Sequence, residues 1–76
     1  PFNPSTKISW QAPIGSHQSL KIYDVLGNEI ATLVDEYRNA GKYEIEFDAS
    51  QLSSGIYFYQ LKVGDLLRTK KMILLK

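Results

Sequence analysis

Cysteine is absent from this 76-residue chain, and histidine occurs once. The lack of cysteine excludes disulfide bonds, thiolate nucleophiles and cysteine-based metal sites. It leaves the cellular compartment open, because secreted bacterial domains often lack cysteine. A single histidine without any cysteine is also a poor basis for a zinc site. We therefore expect no metal and no other cofactor.

The sequence contains no continuous apolar run of 18 residues, so no membrane-spanning segment is predicted. No signal peptide is visible either. The chain starts with Pro1-Phe2-Asn3-Pro4 instead of methionine, and we expect residues 1–76 to be a single domain excised from a longer precursor. A domain of this length buries roughly 60% of its unfolded surface and has a small core. A hydrophobic content of 43% is sufficient for such a core.

The charge is distributed unevenly along the chain. Residues 62–76 contain five basic residues and one acidic residue, whereas residues 1–61 contain four basic and seven acidic ones. The C-terminal segment is therefore predicted to be a basic strip on a mildly acidic body. Lysines on a final strand can block edge-to-edge aggregation or be presented to a receptor, and the sequence favours neither. Nucleic-acid binding is not indicated, because the pI of about 8.5 is ordinary and no aromatic residues lie between the lysines.

Alternation of apolar and polar residues predicts an all-β chain. The clearest case is the segment 42–48, in which Tyr43, Ile45 and Phe47 share one face and charged residues share the other. A slip of one residue would expose all three apolar side chains, so the register of this strand is firmly determined. The predicted strands are 6–11, 19–25, 29–34, 42–48, 56–61 and 66–75.

Three segments have distinctive patterns. Residues 29–34 are assigned to a strand, although their apolar spacing also suits one helical turn. Residues 35–41 are predicted to be a polar connection. The last strand, 66–75, has apolar residues on both faces, so we expect it to lie between other strands or beneath a second surface and not at an edge.

Strand and turn signals recur at intervals of about 8–12 residues, which is typical of an antiparallel immunoglobulin-like β-sandwich; six to seven strands are expected. The run from Leu52 to Leu61 supports this fold. It begins with a turn that contains Gly55 and continues into a dense β-forming segment. Tyr57 enters the strand directly after the turn, which is the sequence pattern of a tyrosine corner.

Candidate catalytic groups are few. His17 has serines nearby, but no Gly-x-Ser-x-Gly elbow occurs, and we interpret it as a solvated loop histidine. Glu44, Glu46 and Asp48 have a spacing that would suit glycoside hydrolysis. No cleft is indicated beside them, so we interpret them as a solvated strand face. Trp10 follows the inward alternation of its strand and is predicted to be a core residue.

Four segments together resemble the type A C-terminal sorting domains of the type IX secretion system. They keep the order found in that family and extend over essentially the whole chain. No single segment is specific, whereas the combination is. The segments are PFNPSTKI at 1–8, LKIYDVLG at 20–27, LSSGIY at 52–57 and TKKMILLK at 69–76.

The resemblance implies a non-catalytic β-sandwich at the C-terminus of a secreted bacterial protein. It implies that the outer-membrane secretion machinery recognises the domain as an address for the N-terminal cargo domain of the same precursor. The cargo would pass through the periplasm and the outer membrane to the medium or the cell surface. A surface sortase would remove the domain at a site upstream of the sandwich. By matching position, the address lies on Gly55, Tyr57, Gly64, Lys70, Lys71 and Lys76.

A rival interpretation is a carbohydrate-binding or spacer sandwich appended to a secreted enzyme. It would require coplanar exposed aromatic rings on one face, and Tyr23, Tyr37 and Tyr59 are the residues that could contribute.

Overall fold

The computed structural model describes residues 5–75, which form six β-strands and no helix. Every pair of neighbouring strands is antiparallel. The all-β prediction is therefore confirmed. The strands are β1 (Ser5–Ala12), β2 (Ser16–Tyr23), β3 (Glu29–Arg38), β4 (Gly41–Asp48), β5 (Gly55–Val63) and β6 (Leu66–Leu74).

The strands form two sheets of unequal width. β1 and β4 make a two-stranded sheet, and the other four strands are ordered β3-β2-β5-β6. Apolar residues from both sheets meet in a single core. This arrangement is consistent with the predicted immunoglobulin-like sandwich.

The centre of the core lies on β2. Leu20, Ile22 and Gln18 are fully buried there, and Trp10 of β1 is 9% exposed. The prediction that Trp10 is a core residue is confirmed. Burying a side chain such as Leu20 stabilises the fold by about 1.5–3 kcal/mol. β2 is buried because it is flanked on both edges, by β3 and by β5.

The β2–β3 hairpin is longer than the sequence predicts. Residues 35–38 were expected to belong to a polar connection, but they continue β3 and pair with residues 16–19 of β2. The prediction for these residues is wrong because three of the four are charged and three of the four are exposed. A solvated strand end resembles a loop in sequence when its partner strand is unknown.

The expectation for the last strand is also wrong. β6 pairs with β5 alone and forms an edge of the four-stranded sheet within residues 5–75. Leu67 and Ile73 on one face are 54% and 63% exposed, and Met72 and Leu74 on the other face are half-buried. The division of apolar residues between two faces is therefore real, but it does not produce burial, because an edge strand lacks a neighbour on one side.

The narrow sheet covers one half of the wide sheet. The indole Nε1 of Trp10 donates to Gln18 Oε1 at 2.8 Å, which places β1 over β2. The guanidinium carbon of Arg38 lies 5.1 Å from the centre of the Tyr43 ring, which places β4 near β3. The inner faces of β5 and β6 extend beyond this cover, and their apolar side chains are only partly buried.

Candidate functional site

β5 and β6 are joined by a two-residue turn, Gly64-Asp65. Gly64 has a φ of +58°, and no described non-glycine residue has a positive φ. This combination has the φ signs of a type II′ hairpin turn, whose first central residue is normally glycine. The Gly64 N–H donates to the carbonyl of His17 at 3.0 Å. The turn therefore also ties the hairpin to β2.

A tyrosine corner holds the start of β5. The hydroxyl of Tyr57 donates to the carbonyl of Ser53 at 2.8 Å, four residues earlier in the chain. The sequence prediction of this corner is confirmed. Gly55 has a φ of +155°, a conformation that residues with a Cβ rarely adopt, and it begins the strand after the turn. The corner fixes the path by which the chain enters β5.

A second tyrosine corner, which sequence reasoning missed, lies at the start of β4. The hydroxyl of Tyr43 donates to the carbonyl of Asn39, again four residues earlier. The Tyr43 ring stacks on Trp10 with a centroid distance of 5.7 Å. The signal was present in the sequence, because both tyrosines follow a glycine by two residues and open a strand.

The β5–β6 register places the two central lysines beside aromatic residues. Lys70 is paired with Tyr59, and Lys71 is paired with Phe58. Successive residues of a strand point to opposite faces, so Lys70 lies on the face of Tyr59 and Lys71 on the other. Neither lysine forms an ion pair with any residue from 5 to 75. The basic residues of β6 are therefore distributed over both faces of this edge strand.

The predicted address residues fall into two groups. Tyr57 is paired with Met72 and Gly55 with Leu74, so these positions adjoin Lys71. Gly64 lies at the other end of β5, and nine residues of strand separate it from Gly55 by about 30 Å. Lys76 lies outside the described residues.

His17 occupies a strand and not the predicted loop, although it is exposed as expected. Its Nε2 donates to Asp35 Oδ1 at 2.7 Å, on a surface where both side chains are more than half exposed. Ser16 precedes it in β2 and therefore points to the opposite face. These three residues do not form a nucleophilic triad. Exposed pairs of this kind contribute little to stability.

The acidic face of β4 is solvated, as predicted. Glu44, Glu46 and Asp48 are exposed and alternate with core residues. The aromatic platform of the rival interpretation is not formed by the tyrosines proposed for it. Tyr59 pairs with Ile22 on the inner face, whereas Tyr23 follows Ile22 and lies on the outer face.

Asp24 organises the loop between β2 and β3, a role that sequence reasoning missed. Its Oδ1 accepts the backbone N–H groups of Leu26 and Asn28, both at 2.9 Å, and its Oδ2 accepts the Asn28 amide at 3.2 Å. The backbone hydrogen bond from Asn28 is the main cause that lowers the pKa of Asp24, and desolvation opposes it. The sequence signal was an aspartate two residues before the first of the turn residues that bond to it.

Acid is expected to loosen this loop. The folded-state pKa of Asp24 lies below its ordinary value of 3.8, so the loop contacts stabilise the fold fully above that value. The stabilisation is lost as the pH falls through the lower, folded-state pKa. We expect the amide NMR shifts of Leu26 and Asn28 to titrate together with the Asp24 carboxyl carbon.

An Asp24→Asn variant is the control for this titration. It retains an acceptor oxygen but has no proton to gain, so the two amide shifts should no longer follow an acid titration. Amides that stay unchanged while the Asp24 carboxyl carbon titrates would contradict the assignment.

The unequal sheets and the two tyrosine corners define a small sandwich domain with an open edge. The chain matches the family model described as "Secretion system C-terminal sorting domain" over residues 1–75. It therefore belongs to the family of C-terminal sorting domains of the type IX secretion system. No curated protein and no solved structure gives a significant match.

Membership of this family identifies the function of the chain. It is a C-terminal sorting signal for type IX secretion, and the protein that carries it is exported through the periplasm and the outer membrane. The exported protein reaches the cell surface or the medium. The carbohydrate-binding or spacer alternative is not favoured. Residues 5–75 contain no helix long and apolar enough to span a membrane.

Proposed function

We propose that the secretion machinery recognises the end of the β5–β6 hairpin that contains Gly55, Tyr57, Lys70 and Lys71. The observation that supports this is the register of the hairpin. It sets both lysines opposite aromatic residues of β5, next to the strand entry that the Tyr57 corner fixes. Because the two lysines project to opposite faces, a receptor that binds both would have to contact both faces of β6 at its free edge.

The address residues would have two different roles. Gly55, Tyr57 and Gly64 would hold the shape of the hairpin, through the corner and the type II′ turn. Lys70 and Lys71 would contact the receptor, because both are exposed and neither has an anionic partner among the described residues. Lys76 remains a predicted contact outside the described region. Unpaired lysine charges attract an acidic receptor surface and accelerate association.

The partners proposed for the domain are the machinery, the cargo domain on its N-terminal side and a surface sortase. Residues 1–76 would act as one unit excised from a longer precursor. The domain itself would have no enzymatic activity. The support for this is the separation of Ser16 from His17 on opposite strand faces and the flat, solvated position of the β4 carboxylates.

A fusion experiment tests the lysines directly. Residues 1–76 are attached to the C-terminus of a fluorescent cargo with a signal peptide, in a host with a type IX system. We expect the combined Lys70→Ala and Lys71→Ala changes to reduce cargo at the surface or in the medium by about tenfold, equivalent to about 1.4 kcal/mol of lost binding. The matched control replaces two other exposed lysines, Lys42→Ala and Lys62→Ala, and should export normally.

Stability measurements separate recognition from folding. Exposed lysines should change the free energy of unfolding by no more than about 0.5 kcal/mol. If the double variant unfolds, or if the control pair impairs export equally, the proposed contacts are wrong. A deletion of residues 69–76 provides the fully defective reference.

A further inference from the structure

An open groove runs between the two free edges of the sandwich. Its volume is about 630 Å³. Residues 5–8 of β1 form one wall, and residues 71–75 at the end of β6 form the other. Its floor is largely apolar and includes Tyr57, Tyr59 and Phe47. A volume of this size with many apolar and aromatic lining residues is typical of a binding site.

The backbone on the β1 side of this groove is available for pairing. Within residues 5–75, β1 pairs only with β4, so its other edge has free N–H and C=O groups. Neighbouring strands lie 4.7–4.9 Å apart. One added strand at this edge would widen the narrow sheet to three strands. It would cover the half-buried inner faces of β5 and β6.

The charged residues at the rim of the groove have one sign among residues 5–75. Lys7 and Lys71 are the only charged residues of this range that line it, and no carboxylate of this range does. Neither lysine forms an ion pair with a described residue. Lys7 lies on the outer face of β1, because the neighbouring Ile8 points into the core, and there it is paired with Glu46 of β4. Lys71 also points outward, because its neighbour Met72 pairs with Tyr57 on the inner face. The free edge of β1 lies on the side of Lys7 away from Glu46. An outward side chain of an added strand would lie beside Lys7, where a carboxylate is favoured over a lysine.

We propose that this groove binds an extended peptide that pairs with the free edge of β1, places apolar side chains on Tyr59 and Met72, and carries acidic side chains on its outer face. The recognition mode is addition of a strand to a sheet edge. This inference goes beyond the proposed function, since it concerns a different partner at a groove that shares only Tyr57 and Lys71 with the proposed address residues. Lys7 is not one of the address residues.

The probe is a seven-residue peptide, acetylated and amidated, in which valine alternates with glutamate. It is titrated into the isotope-labelled 76-residue chain and followed by NMR. We expect shifts at residues 5–8 and 71–75, together with slower hydrogen exchange for the alternate amides of β1 that do not bond to β4. The Lys7→Glu variant should weaken binding by about tenfold, because it replaces an attraction with a repulsion.

Three controls make the result specific. Lys42→Glu reverses an exposed lysine on β4, outside the groove, and should leave the affinity unchanged apart from a small long-range effect. A peptide with lysine in place of glutamate should bind at least about tenfold more weakly. A peptide N-methylated at alternate residues on its pairing edge should not bind.

Several outcomes would overturn the proposal. They are equal binding of the lysine peptide, shifts confined to surfaces outside the groove, and an unchanged affinity in both Lys7→Glu and Lys71→Glu. Sedimentation that shows the chain pairing with a second copy, lost in Lys7→Glu, would assign the groove to self-association instead. The peptide titration measures affinity in vitro and the export experiment measures the location of cargo in cells, so the two proposals can fail separately although both involve Lys71.

Discussion

Replacing Trp10 with alanine is expected to lower the free energy of unfolding by about 3–5 kcal/mol. The indole is 9% exposed, stacks on Tyr43 and donates a hydrogen bond to the fully buried Gln18. A domain of 76 residues has a total stability of roughly 4–11 kcal/mol, so this one change removes a large fraction of it. Urea unfolding followed by far-ultraviolet circular dichroism measures the loss without relying on the indole as a probe.

A double variant separates the packing of Trp10 from its hydrogen bond. Trp10→Phe retains an aromatic ring but leaves the Gln18 oxygen buried without its donor, which costs about 1–3 kcal/mol in addition to the lost volume. Adding Gln18→Met removes the unpaired oxygen and should recover part of that cost. If adding Gln18→Met lowers the free energy of unfolding of the Trp10→Phe variant further, the hydrogen bond is not what couples the two residues.

The inward faces of most strands could be predicted from the sequence, but their partners could not. The alternation in residues 42–48 identified Tyr43, Ile45 and Phe47 as inward-facing, and all three are buried or half-buried. Periodicity is a local property of one strand, whereas pairing depends on residues far away in the chain. For this reason the position of β6 at an edge, and the length of β3, could not be derived from their own residues.

The contact between Trp10 and Gln18 illustrates the same limit of local patterns. The two residues are only eight positions apart, yet they lie on different sheets and meet across the core. The sequence predicted that Trp10 points inward. Alternation also places Gln18 on the face of Leu20 and Ile22, but no neighbouring residue indicates that its amide is buried. Buried polar side chains depend on a partner from another strand, and only the assembled sandwich supplies it.

The candidate site was predictable where it depends on a turn. The Tyr57 corner is predicted by a glycine at the start of the strand and a tyrosine two residues later. The hydrogen bond from the Tyr57 hydroxyl to Ser53 confirms it. The separation of Lys70 from Lys71 onto opposite faces follows from strand geometry alone. The groove beside β1 could not be predicted, because it exists only through the unequal widths of the two sheets.

Replacing Tyr57 with alanine is expected to cost about 2–4 kcal/mol of stability and to abolish export. The side chain is half-buried against the core, so its truncation removes apolar contacts near the lower end of the range for aromatic core residues. It also removes the hydrogen bond to Ser53 that fixes the entry into β5. Urea unfolding of the purified domain and the cargo fusion measure the two effects separately.

The Tyr57→Phe variant distinguishes a shape-determining role from direct recognition of the hydroxyl. It removes one hydrogen bond to an exposed carbonyl, so we expect a loss of about 0.5–1.5 kcal/mol and a domain that remains folded. If Tyr57 acts by holding the strand, this variant should export the cargo nearly normally. Tyr43→Phe removes the equivalent bond from β4 and is the matched control. Loss of export in Tyr57→Phe at a stability equal to that of Tyr43→Phe would show that the machinery contacts the Tyr57 hydroxyl itself.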